Sequence, residues 1–299
     1  MNDYGLERGS SQIDLPRALP IPPFQIMSIC SGKGGVGKTM TAVNLSVVLS
    51  NAGWRITLLD GDLGLVSVKL MLPVAPTAHL GQWLDGKCKF LTLATTTPYG
   101  FKIISAPPDE FQLSELSELQ QLRLASLINT IEATSDLLII DNGAGISKTV
   151  TGFCRMSHRL CLVTTPDPTA MMSAYATIKA FTKSLLPPNI GIIVNQARGM
   201  EEGFDTYQRL NEVVARYIGV EATWLGHLGV IRDFRNAIKR RIPPVSLRPK
   251  SPFARSVAGT ASRLSRWLLD ENAPVHRGSA QAVVKKVVTE LEKMEPVIQ

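Results

Sequence analysis

Short apolar runs, each closed by a polar or acidic residue, recur along the chain with stretches of helical periodicity between them. Residues 24–30 read as a buried strand, and residues 41–49 repeat apolar positions at helical spacing. Asn51-Ala52-Gly53 stops that helix, and residues 54–59 read as a second strand. The same reading predicts strands at 101–105, 136–141, 159–164, 190–194 and 223–228. It predicts helices at 78–86, 113–131, 171–186, 207–218 and 252–269. Strands that are apolar throughout belong to a parallel sheet covered on both faces, and their alternation with helices implies right-handed βαβ crossovers. The expected fold is α/β: a doubly wound, mostly parallel sheet with helices on both faces.

The pattern also sets boundaries. Residues 1–23 are polar and then proline-rich, which predicts a flexible N-terminal tail. Residues 24–269 form one domain, 270–278 a linker, and 279–299 an amphipathic helix. That last helix puts Val283, Val284, Val287, Val288, Leu291 and Met294 on one stripe, with Lys285, Lys286, Glu290 and Lys293 mostly off it. Such a stripe suits a membrane surface, the domain itself or a partner; valines in place of bulky aromatics, and interspersed glutamates, argue against lipid. His79 and Trp83, in the short helix, read as packing residues.

Between the first strand and the first helix lies S-G-K-G-G-V-G-K-T, residues 31–39. Gly32, four residues, then Gly37, Lys38 and Thr39 fit the phosphate-loop pattern, and strand, glycine loop, helix is the context it requires. Glycines let backbone N–H groups converge on a phosphate, and the helix N-terminus adds partial positive charge. Lys38 is placed to reach the β- and γ-phosphates and Thr39 to ligate Mg²⁺. The candidate nucleotide-binding set is Gly32, Gly34, Gly35, Val36, Gly37, Lys38, Thr39 and Met40, with ATP and Mg²⁺ as the cofactors. The fold reading becomes that of a P-loop nucleoside triphosphatase.

Acids and an amide close three other strands at the end where open α/β sheets place ligands. Asp60 and Asp62 follow the second strand and project to one side by strand alternation; Asp62, followed by a leucine and a glycine, is the candidate catalytic acid. Asp141 ends the strand at 136–141 and is placed to hold the Mg²⁺ hydration shell. Thr39, Asp62 and Asp141 are therefore the candidate metal ligands, and Gly143 and Gly145 give the loop after Asp141 freedom to follow the γ-phosphate. Asn195 can bond both the donor and the acceptor edge of adenine.

With 299 residues and 44% hydrophobic content, the chain can bury a full core. Cys30, Cys88, Cys154 and Cys161 show no metal-like or C-x-x-C spacing and read as buried thiols of a reducing compartment. Without a signal-type apolar segment or a spanning run, a cytoplasmic protein is expected, peripheral to a membrane if the last helix reaches one. The net charge of +7 invites an anionic partner, and the excess is local: Arg232, Arg235, Lys239, Arg240, Arg241, Arg248, Lys250 and Arg255 fall close together. A solvated basic face explains them as well as a binding surface does.

Lys33 makes the loop more specific. K-G-G-V-G-K-T resembles the signature of the MinD/ParA (deviant Walker A) ATPases, and residues 32 to about 260 are similar to that family throughout. Leu59-Asp-Gly-Asp-Leu-Gly-Leu65, Ile140-Asp-Asn-Gly-Ala-Gly-Ile-Ser147, residues 165–169 with 174–179, and Ser251-Pro-Phe-Ala-Arg255 look most like the FlhG (FleN, YlxH) branch, regulators of flagellar number. The resemblance implies an ATP hydrolase that dimerises around two nucleotides. It makes Lys33 a catalytic residue working in trans, has Asp62 orient the attacking water, Asp141 sense the metal and Asn195 read adenine. It implies as partners an FlhF-like GTPase, a flagellar switch protein or a transcriptional activator, and a membrane reached through 279–299. Ser173 and Arg232 stand where the branch typically has aspartate and proline, so partner and adenine contacts at those places are not carried over. A MinD-type division-site regulator and a ParA-type DNA partition ATPase are the alternatives, with DNA ranked behind the other partners; a scaffold that binds nucleotide without turnover is a third.

Overall fold

The computed structural model describes residues 19–61, 68–107, 113–184, 189–231, 233–270 and 280–292. Eight strands form one sheet: β1 (Gln25–Cys30), β2 (Ile56–Gly61), β3 (Thr95–Thr96), β4 (Lys102–Ser105), β5 (Leu137–Asn142), β6 (Arg159–Thr164), β7 (Asn189–Ala197) and β8 (Thr223–Gly229). The early helices are α1 (Lys38–Asn51), α2 (Leu80–Leu84), α3 (Phe90–Leu93), α4 (Glu118–Thr134) and α5 (Lys148–Met156). Those that follow are α6 (Pro168–Ser184), α7 (Met200–Ile218), α8 (Phe234–Arg240), α9 (Pro244–Leu247), α10 (Pro252–Leu268) and α11 (Ala280–Glu292).

The strand order is β3-β4-β2-β5-β1-β6-β7-β8, parallel except for the two-residue edge strand β3. The doubly wound expectation is met. Chain progression reverses around β1, which lies between β5 and β6, so the loop leaving β1 opens into the crevice of a topological switch point. Strand alternation explains the unbroken apolar runs. In β5, Leu137 and Ile139 face a core with α1 and α10, whereas Leu138 and Ile140 face the opposite core with α4. Every residue of α1 from Lys38 to Leu49 is buried, so this helix is a central strut rather than a surface element.

Two boundaries moved for local reasons. The helix expected at 113–131 begins at Glu118, because Ser117 and Gln120 form a capping box and residues 113–115 make a separate 3₁₀ turn. In the proline-rich stretch, packing begins before residue 24 at two places: Leu19 and Pro22 are buried, while Pro20, Ile21 and Pro23 are exposed. Three cysteines are buried as expected, but Cys88 is only half-buried, and all four are free thiols. Trp83 packs as expected, its indole N–H donating to the Arg123 carbonyl at 2.9 Å.

The described valines of the C-terminal stripe belong to the core, while Met294 lies outside the described residues. Val284, Val287 and Val288 are buried against residues of α4, α5 and their neighbours, and Arg155 forms an ion pair with Glu290 that fastens α11 to α5. Among the described residues no helix is long and apolar enough to cross a membrane.

Candidate nucleotide-binding site

The phosphate loop departs from the end of β1 and turns through two left-handed glycines, Gly35 (φ 78°) and Gly37 (φ 92°). Gly37 is the N-cap of α1, carries no side-chain cap, and is followed by a first turn without an acid. The orphan N–H groups and the positive end of this helix are thus left for an anionic ligand. A cavity of about 720 Å³ is lined by Gly34, Gly37, Lys38 and Thr39 of the turn together with apolar Ile231 and Phe234. Its size and its mixed lining suit a nucleotide, with the phosphates on the loop and the base against the apolar side chains.

The glycines do different work. A Cβ on Gly32 would lie 2.1 Å from the Ser173 carbonyl oxygen of α6, so Gly32 lets the loop touch a helix rather than a phosphate. A Cβ on Gly34 would meet nothing within 4 Å. Val36 points its side chain into the core, and its carbonyl accepts a hydrogen bond from Asn195 Nδ2 at 2.8 Å. Asn195, 4% exposed, therefore braces the loop from β7 while lining the cavity.

On the other side, β2 and β5 run in register so that Asp60 and Asp141 are lateral neighbours, 4% and 0% exposed. Asp60 Oδ2 accepts the Val68 N–H at 3.2 Å. Asp62 lies outside the described residues. The loop after Asp141 sits on the phosphate loop, Gly145 N–H donating to the Ser31 carbonyl at 2.9 Å. Two buried carboxylates side by side on adjacent strands offer hard oxygen donors of the kind that fit Mg²⁺. Among the described residues no group of three or more His, Cys, Asp and Glu could hold a metal by itself.

Lys33 stands at the rim, 47% exposed, with its ammonium 2.6 Å from Thr169 Oγ1 and 3.3 Å from Asp167 Oδ1 at the start of α6. The Thr169 hydroxyl, the Ala170 N–H and Lys33 all bond the Asp167 carboxylate and hold its pKa down at about 2. A depressed carboxylate stabilises the folded state fully above its ordinary pKa and loses that contribution as pH falls through the folded value. The Lys33 contact should therefore persist from neutral pH to about 3 and dissolve as pH falls through about 2, the midpoint a ¹³C-carboxyl NMR titration of Asp167 would report.

The structure thus gathers Gly34, Gly35, Gly37, Lys38, Thr39, Met40 and Asn195 on one cavity, and Asp141 pairs in register with Ile29 of the strand that the loop leaves. Gln196, Phe234 and Met71 line the same cavity without having been singled out in the sequence. Gln196 carries one of two positive φ values at non-glycine residues among those described, 59°, a feature no motif announces.

A phosphate loop at a doubly wound switch point, faced by buried carboxylates on the neighbouring strand tips, defines a P-loop nucleotide-binding protein. The chain belongs to the CobQ/CobB/MinD/ParA nucleotide binding domain family, whose model matches residues 27–243, and this sets it among the MinD/ParA-type ATPases. It is 29% identical to the antiactivator FleN of Pseudomonas aeruginosa over 89% of this chain and 94% of that protein. It is 28% identical to the flagellum site-determining protein YlxH of Helicobacter pylori, covering 80% of this chain and 81% of the relative. Among solved structures, the septum site-determining protein MinD of Pyrococcus horikoshii, complexed with Mg-ADP, superimposes with a TM-score of 0.64 at 24% identity. That match covers 80% of this chain and 94% of MinD, and it carries the fold alone.

Proposed function

We propose that the protein is an ATP-driven dimerisation switch of the FlhG type that controls flagellar number or placement. The observation that supports it most is Lys33: an ammonium next in the chain to the cavity-lining Gly34, half-exposed and held by surface contacts to Thr169 and Asp167. A lysine so placed can leave those partners for the phosphates of a second copy at small cost, since exposed ion pairs contribute about 0–1 kcal/mol. The similarity to FleN and YlxH along most of the chain supports the flagellar assignment.

In this reading Lys38 and the uncapped N–H groups of α1 bind and orient the β- and γ-phosphates, and Asn195 holds the loop in shape. Thr39 and Asp141 hold Mg²⁺, which supplies charge neutralisation at the phosphates when bound. Asp62 orients the attacking water. The loop carrying Gly145 is coupled to the phosphate loop through the Ser31 carbonyl, so loss of the γ-phosphate contacts releases both together. In the single chain the stripe of α11 is covered, so membrane contact through 279–299 requires its release from α4 and α5. Vesicles with anionic lipid should pellet the ATP-loaded protein, and Arg155→Glu, which breaks the pair with Glu290, should make pelleting independent of ATP.

Size-exclusion chromatography with ATP, ADP and no nucleotide, on wild type and on Lys33→Ala, tests the switch. Only wild type with ATP should elute as a dimer, and a monomer there defeats the reading. A MinD-type division-site regulator is the alternative; deletion of the gene should change flagellar number in the first case and septum position in the second.

A further inference from the structure

The positive surplus of this protein sits in one place. Between residues 232 and 255 eight Lys and Arg accompany a single acid, Asp233, and that difference equals the net +7 of the whole chain. Arg235, Lys239, Arg240, Arg241, Lys250 and Arg255 are all exposed, on α8, the turn after it, and the start of α10. Beside them is a second cavity, about 860 Å³. Arg198, Arg248 and Lys250 line it together with apolar Val230, Leu247 and Phe253, and Arg248 is paired there with Asp233. Gly229, Val230 and Ile231 form a wall shared with the nucleotide cavity.

We propose that this cavity and the cationic face around it dock an acidic segment of another protein, one that carries an apolar anchor residue. The charge selects an anion, and the cavity selects which kind. Nucleic-acid phosphates follow cations along a surface and have no aliphatic group to fill an apolar recess. Stacking of unpaired bases needs exposed aromatic rings, and among the described residues the one Phe, Tyr or Trp that lines this cavity, Phe253, is 5% exposed. An Asp or Glu flanked by a leucine-like side chain satisfies both halves of the site. Its carboxylate is chemically equivalent to Asp233, which already seats against the Arg248 fork. Because residues 229–231 border both cavities, a docked segment biases the base-binding end of the nucleotide cleft, and by reciprocity nucleotide alters the affinity for the segment. This surface goes beyond the switch reading and stands without it.

Fluorescence anisotropy on the full chain tests it, with a labelled short peptide of alternating Asp and Glu around a central Leu-Leu pair. Saturable binding is expected, weakened at least about tenfold by Arg198→Glu or Lys250→Glu. Both side chains are exposed, so an unchanged melting temperature separates the effect from misfolding. Changing the two leucines of the peptide to serine should cost a comparable factor, and saturating peptide should shift the affinity for a fluorescent ADP analogue. Binding weaker than about 1 mM overturns the proposal. So does binding indifferent to the leucines, or a random-sequence DNA duplex or anionic vesicle that displaces the peptide and loses affinity with the same two variants.

Discussion

Lys38→Ala will lower ATP turnover by about 10²–10³-fold, the cost of removing one preorganised charge from the developing phosphoryl transition state. Lys38 is the first residue of α1 and 6% exposed, so its ammonium is held where the phosphates come rather than in bulk water. Lys38 lines the cavity and its work is with the ligand, so its removal will leave the melting temperature without nucleotide near the wild-type value. Ligand binding stabilises only the folded state, by an amount set by ligand concentration over Kd. The upward shift of melting temperature that ATP gives the wild type will therefore disappear in Lys38→Ala. An undiminished shift in the variant would mean that ATP binds elsewhere.

The second large effect separates two glycines of the same motif. Gly32→Ala will destabilise the fold by about 3 kcal/mol, because overpacking of backbone against backbone has no flexible side chain to absorb it. The new Cβ would be 2.1 Å from the Ser173 carbonyl oxygen and 2.7 Å from Thr177 Oγ1, so α6 must move away. For a domain of this size that is a fall of about 5–10 °C in melting temperature. Moving α6 also displaces Asp167 and Thr169, and the Lys33 ammonium loses its partners. Gly34→Ala will melt within about 1 °C of wild type, as expected for a surface change away from any packed contact, since nothing lies within 4 Å of its Cβ position. Differential scanning calorimetry of the two variants decides the matter, and equal melting temperatures would refute the assigned contact between loop and α6.

Much of the fold was legible because its signals are local. A buried parallel strand must be largely apolar on both faces, so β1, β2, β5, β6 and β7 are visible as predominantly apolar runs. The capping box at Ser117 was equally available in the sequence, and attending to it would have corrected the start of α4. The edge strand β3 was not visible, since two threonines carry no period. Within the site, the loop and Thr39 follow from a motif of contiguous residues. Strand alternation alone does not distinguish Asp60 from Asp62; the register of β2 on β5 makes Asp60 the neighbour of Asp141.

The sequence by itself determined that a phosphate loop opens the domain, that a sheet with helices on both faces carries it, and that the chain's charge surplus lies in 232–255. Each follows from residues adjacent in the chain, where periodicity and backbone freedom act over a few positions. Only the tertiary structure decided what those residues touch. Lys33 meets Asp167 across 134 positions, and Asn195 braces Val36 across 159. It also decided that the valine stripe of α11 is covered by the domain and that one wall serves two cavities. Such contacts depend on which strands become neighbours and on how helices cross the sheet, quantities set by the packing of the whole core and absent from any single stretch of it.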